Sequence, residues 1–312
     1  MRPNELQIKL IPELRRHGIR AESVHVDGPL DESERSSVFS VTIDHRYYVI
    51  KLYHIHANFV RDLRNYHRLP NPPQVLMAMK SQDTKIGYDF IITKVAQGRS
   101  MNSNDLTDTV AVRLGQHMLD HHRVKRSRPV SVAKLHNSID DTVYGSRGAA
   151  GSKKNSVDHV VDSMHKFLEA QAPMMRVTPS LLHNDIWWDN IIVAREEVYL
   201  VDWEWMKVGD YVEDLAYPRV MLVHRPIHNR RRQFWQNAPD EAAANRFFRV
   251  LVDLHASEFD DTTIEIRLKF YLALMSLRRL SDYAAGTFGD FPEARDYWLQ
   301  NLPIFWERGI KD

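Results

Sequence analysis

Cysteine is absent from the 312 residues of the sequence. The absence excludes disulfide bonds, catalysis by a thiolate and zinc sites with cysteine ligands. Because disulfides are rare in reducing compartments, we expect a cytoplasmic protein.

An excess of charge of one sign is also missing, and so is any long apolar run. The 42 lysines and arginines nearly balance the 41 aspartates and glutamates, which leaves a net charge of +1. Nucleic-acid-binding domains are usually strongly basic, so the composition does not favour one. No run of about 18 apolar residues occurs, and the first residues lack the apolar core of a secretion signal. The sequence therefore predicts an ordinary globular protein without nucleic-acid or membrane partners.

The pattern of residues predicts a β-rich region followed by a helical one. Up to residue 96 we expect an amphipathic helix kinked at Pro12, a hairpin that turns at Asp44 and His45, a second helix and two more strands. These elements are the helices 4–18 and 57–69 and the strands in "SSVFSVTI", "RYYVIKLY", "PQVLMAM" and "YDFIITKV".

After Gly98 the pattern becomes mostly helical. We expect a helix over 104–122 capped by Ser103 or Asn104, an exposed mobile loop over 123–155, and a helix over 156–171. A strand, "EVYLVDWEW", follows, and then mostly helices from 211 onward, the clearest being 262–283. These elements predict an α+β protein of two lobes, a β-rich N-lobe (residues 1–96) and a larger, mostly helical C-lobe (residues 97–312).

The stretch "LLHNDIWWDNIIV", residues 181–193, places polar side chains between apolar runs. Buried carboxylates and amides are costly unless something pairs with them. Asp202 comes twelve residues after Asn190, at the end of the apolar run "VYLVD". Two short strands joined by a turn would bring Asn190 and Asp202 together, and their oxygens suit Mg²⁺. Asp185 would then lie beside the metal, where a base for a hydroxyl nucleophile belongs.

The order of these residues resembles the protein-kinase template and, more closely, the aminoglycoside phosphotransferase and choline kinase superfamily. The residues that carry the resemblance are His183, Asp185, Asn190, Asp202-Trp203-Glu204, Gly209-Asp210 and Asp214-Leu215-Ala216. The resemblance implies a protein-kinase-like fold. It also implies a kinase that uses Mg²⁺ and moves the γ-phosphoryl group of ATP or GTP to a hydroxyl of a small molecule.

The resemblance also assigns nucleotide-binding residues in the N-lobe. Lys51, in the strand "YYVIKLY", would hold the phosphates, although an exposed edge-strand lysine is the other interpretation of that residue. Its carboxylate partner on the next helix would be Asp62 in place of the usual Glu, unless Asp62 is simply solvated. Ser36 and Ser37 belong to a glycine-free counterpart of the nucleotide loop.

Adenine would bind the backbone between Lys94 and Ala96, at the end of the last N-lobe strand. Such recognition leaves no side-chain signature, so the sequence does not distinguish ATP from GTP.

Three residues of the motif are expected to support the site. His183 is expected to hold the loop, and Asp214 to brace it from a helix N-terminus, which favours a carboxylate. Glu204 either supports the metal or caps a turn.

The acceptor remains open between two chemistries. A cationic aminoglycoside or similar antibiotic, which would make the protein a resistance enzyme, calls for carboxylates. The run Glu258, Asp260, Asp261 and Glu265 offers them, unless it is a solvated loop. Choline, ethanolamine or another amino-alcohol calls for an aromatic face, which Trp187 or Trp205 would supply if not packed in the core. The third hypothesis is a nucleotide-binding pseudokinase without catalysis. The sequence does not predict an oligomeric state.

Overall fold

The structure, a computed structural model, describes residues 1–95, 98–124, 131–151, 154–171, 173, 179–195, 197–223, 241–286 and 292–308. The chain divides into two compact units, Met1–Arg99 and Ser100–Asp312, which we call the N-lobe and the C-lobe. The first is built around a sheet and the second mostly from helices, which confirms the predicted α+β class. Among the described residues, no helix has the length and apolarity needed to cross a membrane.

The N-lobe is a five-stranded antiparallel sheet with a helix on each face. Its strands pair in the order β1-β2-β3-β5-β4. The elements in chain order are α1 (Pro3–Arg16), β1 (Val24–Glu32), β2 (Ser36–Ile43), β3 (Arg46–Tyr53), α2 (His56–Tyr66), β4 (Val75–Met79) and β5 (Asp89–Lys94).

The two faces of the sheet pack on different helices because side chains alternate along each strand. Ile50 and Leu52 join the cluster that contains Leu6, Leu10 and Leu14 of α1. Tyr53, on the opposite face, packs instead against Phe59 of α2 and Ile91. Lys51 alternates with Ile50 and Leu52, so it faces α2.

Two local features explain why the N-lobe follows its sequence pattern. Asp44 and His45 both have positive φ (46° and 64°), which a two-residue turn between β2 and β3 requires. Helix α1 continues through Pro12. The carbonyl of Ile8, which loses its partner at that proline, belongs to a residue that is 72% exposed, so water can satisfy it.

The C-lobe consists of seven helices and short strands among the residues described. In chain order, the elements that begin at or beyond the boundary are β6 (Arg99–Ser100), α3 (Asp108–His122), α4 (Val132–Ala150), α5 (Lys154–Ala170), β7 (Ser180–Leu182), β8 (Ile191–Ala194), β9 (Glu197–Leu200), β10 (Lys207–Gly209), α6 (Tyr211–Val223), α7 (Glu241–Phe259), α8 (Ile264–Ala284) and α9 (Pro292–Arg308). Strand β7 pairs with β10, and β8 pairs with β9.

The predicted loop over 123–155 is wrong for most of its length, because α4 occupies Val132–Ala150. The buried positions of α4 recur at helical spacing and end in small residues: Leu135, Ile139, Thr142, Val143, Ser146, Ala149 and Ala150. Gly145 lies so close to Ser281 of α8 that a Cβ there would overlap it. Gly145, one of the residues that suggested a loop, is therefore the position that allows the two helices to approach closely.

Two predicted boundaries also differ from the structure. Helix α3 begins after Thr107, whose hydroxyl accepts a bond from the amide of Val110, and not after Ser103 or Asn104. The predicted strand "EVYLVDWEW" ends at Leu200, since Asp202 has left-handed backbone angles (φ 62°, ψ 70°) and residues 203–205 form a 3-10 turn. Glu204 is therefore not on a strand.

Candidate active site

The loop of residues 183–190, which the sequence predicts to be the catalytic loop, begins where strand β7 ends. The carboxylate of Asp214 in α6 accepts the backbone amides of His183 (2.6 Å) and Asn184 (2.7 Å), one on each oxygen. Asn184 has a left-handed backbone (φ 62°), which turns both amides toward the same side chain. Asp214 is buried, and its two hydrogen bonds fix the backbone just before Asp185.

The carboxylate of Asp185 is held by two neutral donors. The amide nitrogen of Asn190 lies 3.0 Å from Oδ2, and the hydroxyl of Tyr217 in α6 lies 2.7 Å from Oδ1. Burial raises the pKa of Asp185 above its ordinary value, although the hydrogen bond from Tyr217 acts in the opposite direction. A carboxylate oriented in this way, with a raised pKa, is suited to accept a proton from a hydroxyl.

His183 has no nitrogen left for proton transfer. Its Nε2 lies 2.9 Å from the carbonyl of Val201, which can only accept, so that nitrogen carries the proton. Its Nδ1 then accepts the amide of Asp185 at 3.2 Å. The ring also packs against Trp203, at 4.4 Å between centroids. His183 therefore holds the loop, in the supporting role that the sequence suggested.

Asn190 and Asp202 lie at the same end of the β8–β9 hairpin. The amide of Val201 donates to the carbonyl of Asn190 (3.0 Å), which places Asp202 one residue from that bond. Asn190 donates from its side-chain nitrogen to both the carbonyl and the carboxylate of Asp185, so its side-chain oxygen points away. In the part of the chain that is described, no donor occupies that oxygen, which fits a hard cation.

Two further observations support a cation at the end of this hairpin. A carboxylate oxygen of Glu204 lies within 4.8 Å of one of Asp202. The charge of Asp202 also contributes to the raised pKa of Asp185, so the carboxylates of this segment repel one another without a cation.

Lys51 and Asp62 form the ion pair that the sequence suggested in the N-lobe. The Nζ of Lys51 lies 3.2 Å from Oδ2 of Asp62, and the hydroxyl of Tyr53 donates to the same oxygen at 2.8 Å. The Asp62 side chain is 1% exposed and the Lys51 side chain 12%. The shorter Asp reaches the lysine because both Lys51 and Tyr53 face α2.

Several of the other predicted nucleotide-binding groups are buried or already hydrogen-bonded within the protein. Ser36 and Ser37 lie buried in β2, and the hydroxyl of Ser37 is 3.1 Å from Nε2 of His54. The amide of Lys94 donates to the carbonyl of Gln74 at 2.9 Å. Ala96, the second predicted adenine contact, lies outside the described residues.

The predicted acceptor residues have very different surroundings. Trp205 is 40% exposed, and Trp187 is half-buried where the 3-10 turn of the loop begins. Asp260 is exposed, with a positive φ of 49°. Asp261 accepts bonds from Tyr211 and Arg267 and is part of the internal packing of the C-lobe.

Three residues of this region were not recognised from the sequence. Tyr217 lies three residues after Asp214, about one helical turn, and that spacing was a usable signal. His122 and His255 lie far from the loop in sequence, and nothing local marks them. His122 is 3.2 Å from Asp214, and His255 is 3.0 Å from His122.

The fold resembles that of known small-molecule kinases. The structure aligns with a choline kinase from Cryptosporidium parvum at a TM-score of 0.64 and 12% identity, covering 95% of this chain and 94% of that one. It aligns with a thermostable mutant of aminoglycoside phosphotransferase APH(4)-Ia, in a ternary complex with ADP and hygromycin B, at 0.63 and 15%, covering 97% and 99%. At these identities the likeness establishes the protein-kinase-like fold.

Sequence comparison establishes the family. Residues 29–224 match the phosphotransferase enzyme family, and the chain belongs to it. The Protein LicA homolog of Metamycoplasma hominis is 26% identical over 131 residues, which cover 40% of this chain and 47% of that protein. The match thus spans about half the length of that relative.

Proposed function

We propose that the protein is a kinase that uses a Mg²⁺-bound nucleotide and transfers the γ-phosphoryl group of ATP or GTP to a hydroxyl of a small molecule. The observation that carries the proposal is the state of Asp185. Its carboxylate is fixed by Asn190 and Tyr217, neither of which is charged, and its pKa is raised. Family membership and the kinase-like fold support the same conclusion.

In the proposed reaction, Asp185 accepts the proton of the acceptor hydroxyl as that oxygen bonds to the γ-phosphorus. The bond between the γ-phosphorus and the bridging oxygen breaks, and the nucleoside diphosphate leaves. Lys51, oriented by Asp62, holds the phosphates. Asn190 and Asp202 would hold Mg²⁺, which neutralises phosphate charge. Asp214 keeps the backbone before Asp185 in place during the reaction.

The acceptor that we propose is an alcohol that carries a cationic amine. An aminoglycoside was expected to bind the acidic run 258–265. Arginines face Glu258, Asp261 and Glu265 in the structure, and the exposed Asp260 is the carboxylate that remains for such an acceptor. The second candidate is an amino-alcohol, and the exposed indole of Trp205 favours it, since aromatic faces attract ammonium groups.

A turnover assay tests the reaction and a pair of variants tests the acceptor. ADP or GDP release is measured with each nucleotide against a panel of aminoglycosides and amino-alcohols. Acceptor-stimulated release is expected, and its absence with every acceptor would contradict the kinase. With a verified acceptor, Asp260→Asn raises KM if an aminoglycoside binds as proposed, and Trp205→Leu raises KM if an amino-alcohol does. If neither variant changes KM, both placements of the acceptor are wrong.

Calorimetry of the Asp202→Ala variant tests the metal site separately. Without that carboxylate, Mg²⁺-dependent nucleotide binding should be lost, because a hard cation bridging phosphates needs an anionic oxygen ligand. Glu197→Gln is the matched control, since it removes an exposed carboxylate from the other end of the same hairpin and leaves Asp202 and Glu204 in place. Unchanged affinity and unchanged Mg²⁺ dependence in Asp202→Ala would make Asp202 a structural residue.

A further inference from the structure

A cavity of about 940 Å³ opens on the C-lobe where four helices meet, at the end of α4, the start of α5, the end of α8 and α9. Pockets that bind small molecules typically have volumes of about 300 to 1,000 Å³. The described residues that line it include none of the catalytic loop, nor Asp202, Trp205, Tyr217 or the acidic run 258–265. The cavity therefore shares no described residue with the candidate active site or with the predicted acceptor residues.

Small residues keep this cavity open. Gly148 lies on the exposed side of α4, and Gly286 lies two residues after Ala284, where α8 ends. A Cβ atom at Gly148 or at Gly286 would meet no described atom within 4 Å. Gly286 also has a positive φ of 73°, which takes the chain out of the helix. The space beside these two glycines is therefore available to a ligand.

Three cations line the cavity, and no carboxylate does so among the described residues. Arg147 contacts Asp158 through Nε at 2.5 Å, and Arg295 contacts its neighbour Asp296 through Nε and Nη2 at 3.1 Å. Lys154 forms no ion pair with any described residue. The two terminal nitrogens of Arg147 also make no bond within the described part of the chain, and such a fork of donors suits a phosphate group. The cavity therefore carries positive charge and free donors for an anion.

Two tyrosine rings line the same cavity. The side of α4 that carries Tyr144 and, one turn later, Arg147 and Gly148 faces away from the buried positions of that helix. Tyr144 is 91% exposed, so its ring contributes almost nothing to the packing of the C-lobe. Tyr283, near the end of α8, is the second ring. Aromatic faces pack well against planar ligands, and an exposed ring beside a cavity is typical of a binding site.

We propose that this cavity is a second ligand site of the C-lobe, for a small phosphate ester that carries a planar ring. Arg147, Lys154 and Arg295 bind the phosphate, and the rings of Tyr144 and Tyr283 pack against the planar ring. A cationic acceptor does not fit here, because the charged groups that line the cavity are positive. The site is thus distinct from the acceptor site, and the proposal does not depend on the proposed function.

Calorimetry with phenyl phosphate, in the absence of Mg²⁺ and nucleotide, tests the recognition of the phosphate. Wild-type protein should bind the probe, and binding should weaken as salt rises, since the cations are near the surface. Lys154→Gln removes a charged donor and should weaken binding at least about 10-fold. Lys134→Gln, at an exposed lysine of α4 outside the cavity, is the matched control and should bind like the wild type. Absence of binding, or equal affinity in the wild type and Lys154→Gln, would overturn the proposal.

The Tyr144→Leu variant, compared on two probes, tests the recognition of the ring. It should weaken the binding of phenyl phosphate about fivefold and leave the affinity for inorganic phosphate unchanged, because only the first probe has a ring to pack. The exposure of Tyr144 makes an effect on folding small, and the unfolding midpoint checks this. If the wild type binds inorganic phosphate as tightly as phenyl phosphate, or if the variant weakens both probes equally, the cavity does not recognise a ring and the proposal is wrong.

Nuclear magnetic resonance of protein labelled with ¹³C in its alanine methyl groups locates the bound probe. Ala149 and Ala284 line the cavity, so the ring of phenyl phosphate should shift their methyl signals. Ala111, buried in α3, is the control and should not shift. Signals are assigned with Ala284→Ser and Ala111→Ser. Shifts at Ala149 and Ala284 that saturate with the calorimetric affinity would support the proposal, and unchanged signals from both residues would place the probe elsewhere and overturn it.

Discussion

Two acidic regions of the C-lobe have opposite surroundings. Asp185 is held by the side chains of Asn190 and Tyr217, and both of these donors are neutral. The acidic run 258–265 is held mostly by cations, because Glu258, Asp261 and Glu265 face Arg123, Arg267 and Arg249 respectively. A base must bind a proton during the reaction, and pairing with an arginine would oppose that.

The pKa of the carboxylate with neutral donors is raised, and the pKa of a carboxylate paired with an arginine is lowered. Burial raises the pKa of Asp185. Burial acts in the same direction on Asp261, but hydrogen bonds from Tyr211 and Thr263, together with Arg267, lower its pKa. The comparison teaches that the number of carboxylates in a segment does not identify a site. Whether the hydrogen-bond donors of a carboxylate are neutral or charged is a better indicator of a catalytic carboxylate.

The largest effect is expected for Asp185→Asn. The amide cannot accept the proton of the acceptor hydroxyl, so kcat should fall by at least about 10²-fold, the lower end of general-base effects. Nucleotide affinity, measured by calorimetry, should remain close to that of the wild type. Asp253→Asn, at an exposed carboxylate of α7 outside the proposed site, is the control and should keep most of the turnover. Near-normal kcat in Asp185→Asn would remove Asp185 from the mechanism.

Asp261→Asn should reduce stability and leave the reaction almost unchanged. The new amide faces Arg267 with a donor, and loss of a hydrogen bond to a charged group costs about 1.5 to 3 kcal/mol in the free energy of unfolding. Denaturant unfolding measures this loss. An increased acceptor KM with unchanged stability would instead return the acidic run to an acceptor-binding role.

The stability difference between the wild type and Asp261→Asn should also depend on pH. The pKa of Asp261 is lowered in the folded protein. Its contribution is therefore fully present above the unfolded value of about 3.9 and declines as pH falls through the lower folded value. The two proteins should thus become more similar in strong acid. A difference that stays constant in acid would show that the charge of Asp261 is not the cause.

Tyr217→Phe should have an intermediate effect. The variant removes the hydroxyl that orients Oδ1 of Asp185, and it keeps the ring near Arg279, which lies 5.9 Å from the ring centroid. We expect a fall of about 10-fold in kcat, equivalent to ~1.4 kcal/mol, with little change in KM. The unfolding midpoint serves as the control. An unchanged kcat would mean that Asn190 is sufficient to hold Asp185.

The contacts that the sequence anticipated are those between residues close together along the chain. The turn at Asp44 and His45 predicted the β2–β3 hairpin, and the resemblance to the family suggested that Lys51 pairs with Asp62 on the next helix, as it does at 3.2 Å. The spacing of the catalytic loop brought together Asp185 and Asn190, which are only five residues apart. In each case the residues that meet lie in one turn or in neighbouring elements of the chain.

The features that the sequence did not reveal depend on distant packing. Tyr217 reaches Asp185 over 32 positions, and His122 reaches Asp214 over 92. The sequence of helix α4 predicts a loop because it contains glycine and serine, and glycine lowers the helix propensity of an isolated segment. In the structure, Gly145 packs closely against Ser281 of α8, so the packing of the two helices stabilises this segment as a helix. The arginine partners of the acidic run lie on other helices or other turns, so the composition of the run did not predict these ion pairs.

The smallest effect is expected for Glu258→Gln. Glu258 is paired with Arg123 at 2.8 Å, and both side chains are well exposed, so solvent and salt screen the pair. The variant should leave kcat, the acceptor KM and the unfolding midpoint unchanged within measurement error. Turnover assays at low and at physiological salt provide the measurement, because any contribution of Glu258 to binding a cationic acceptor would be largest at low salt. An increased KM at low salt that disappears at higher salt would show that the acidic run does attract the acceptor. The two regions would then differ in the range over which they act: Asp185 acts at the bond that forms, and the acidic run attracts the acceptor from a distance through its electric field.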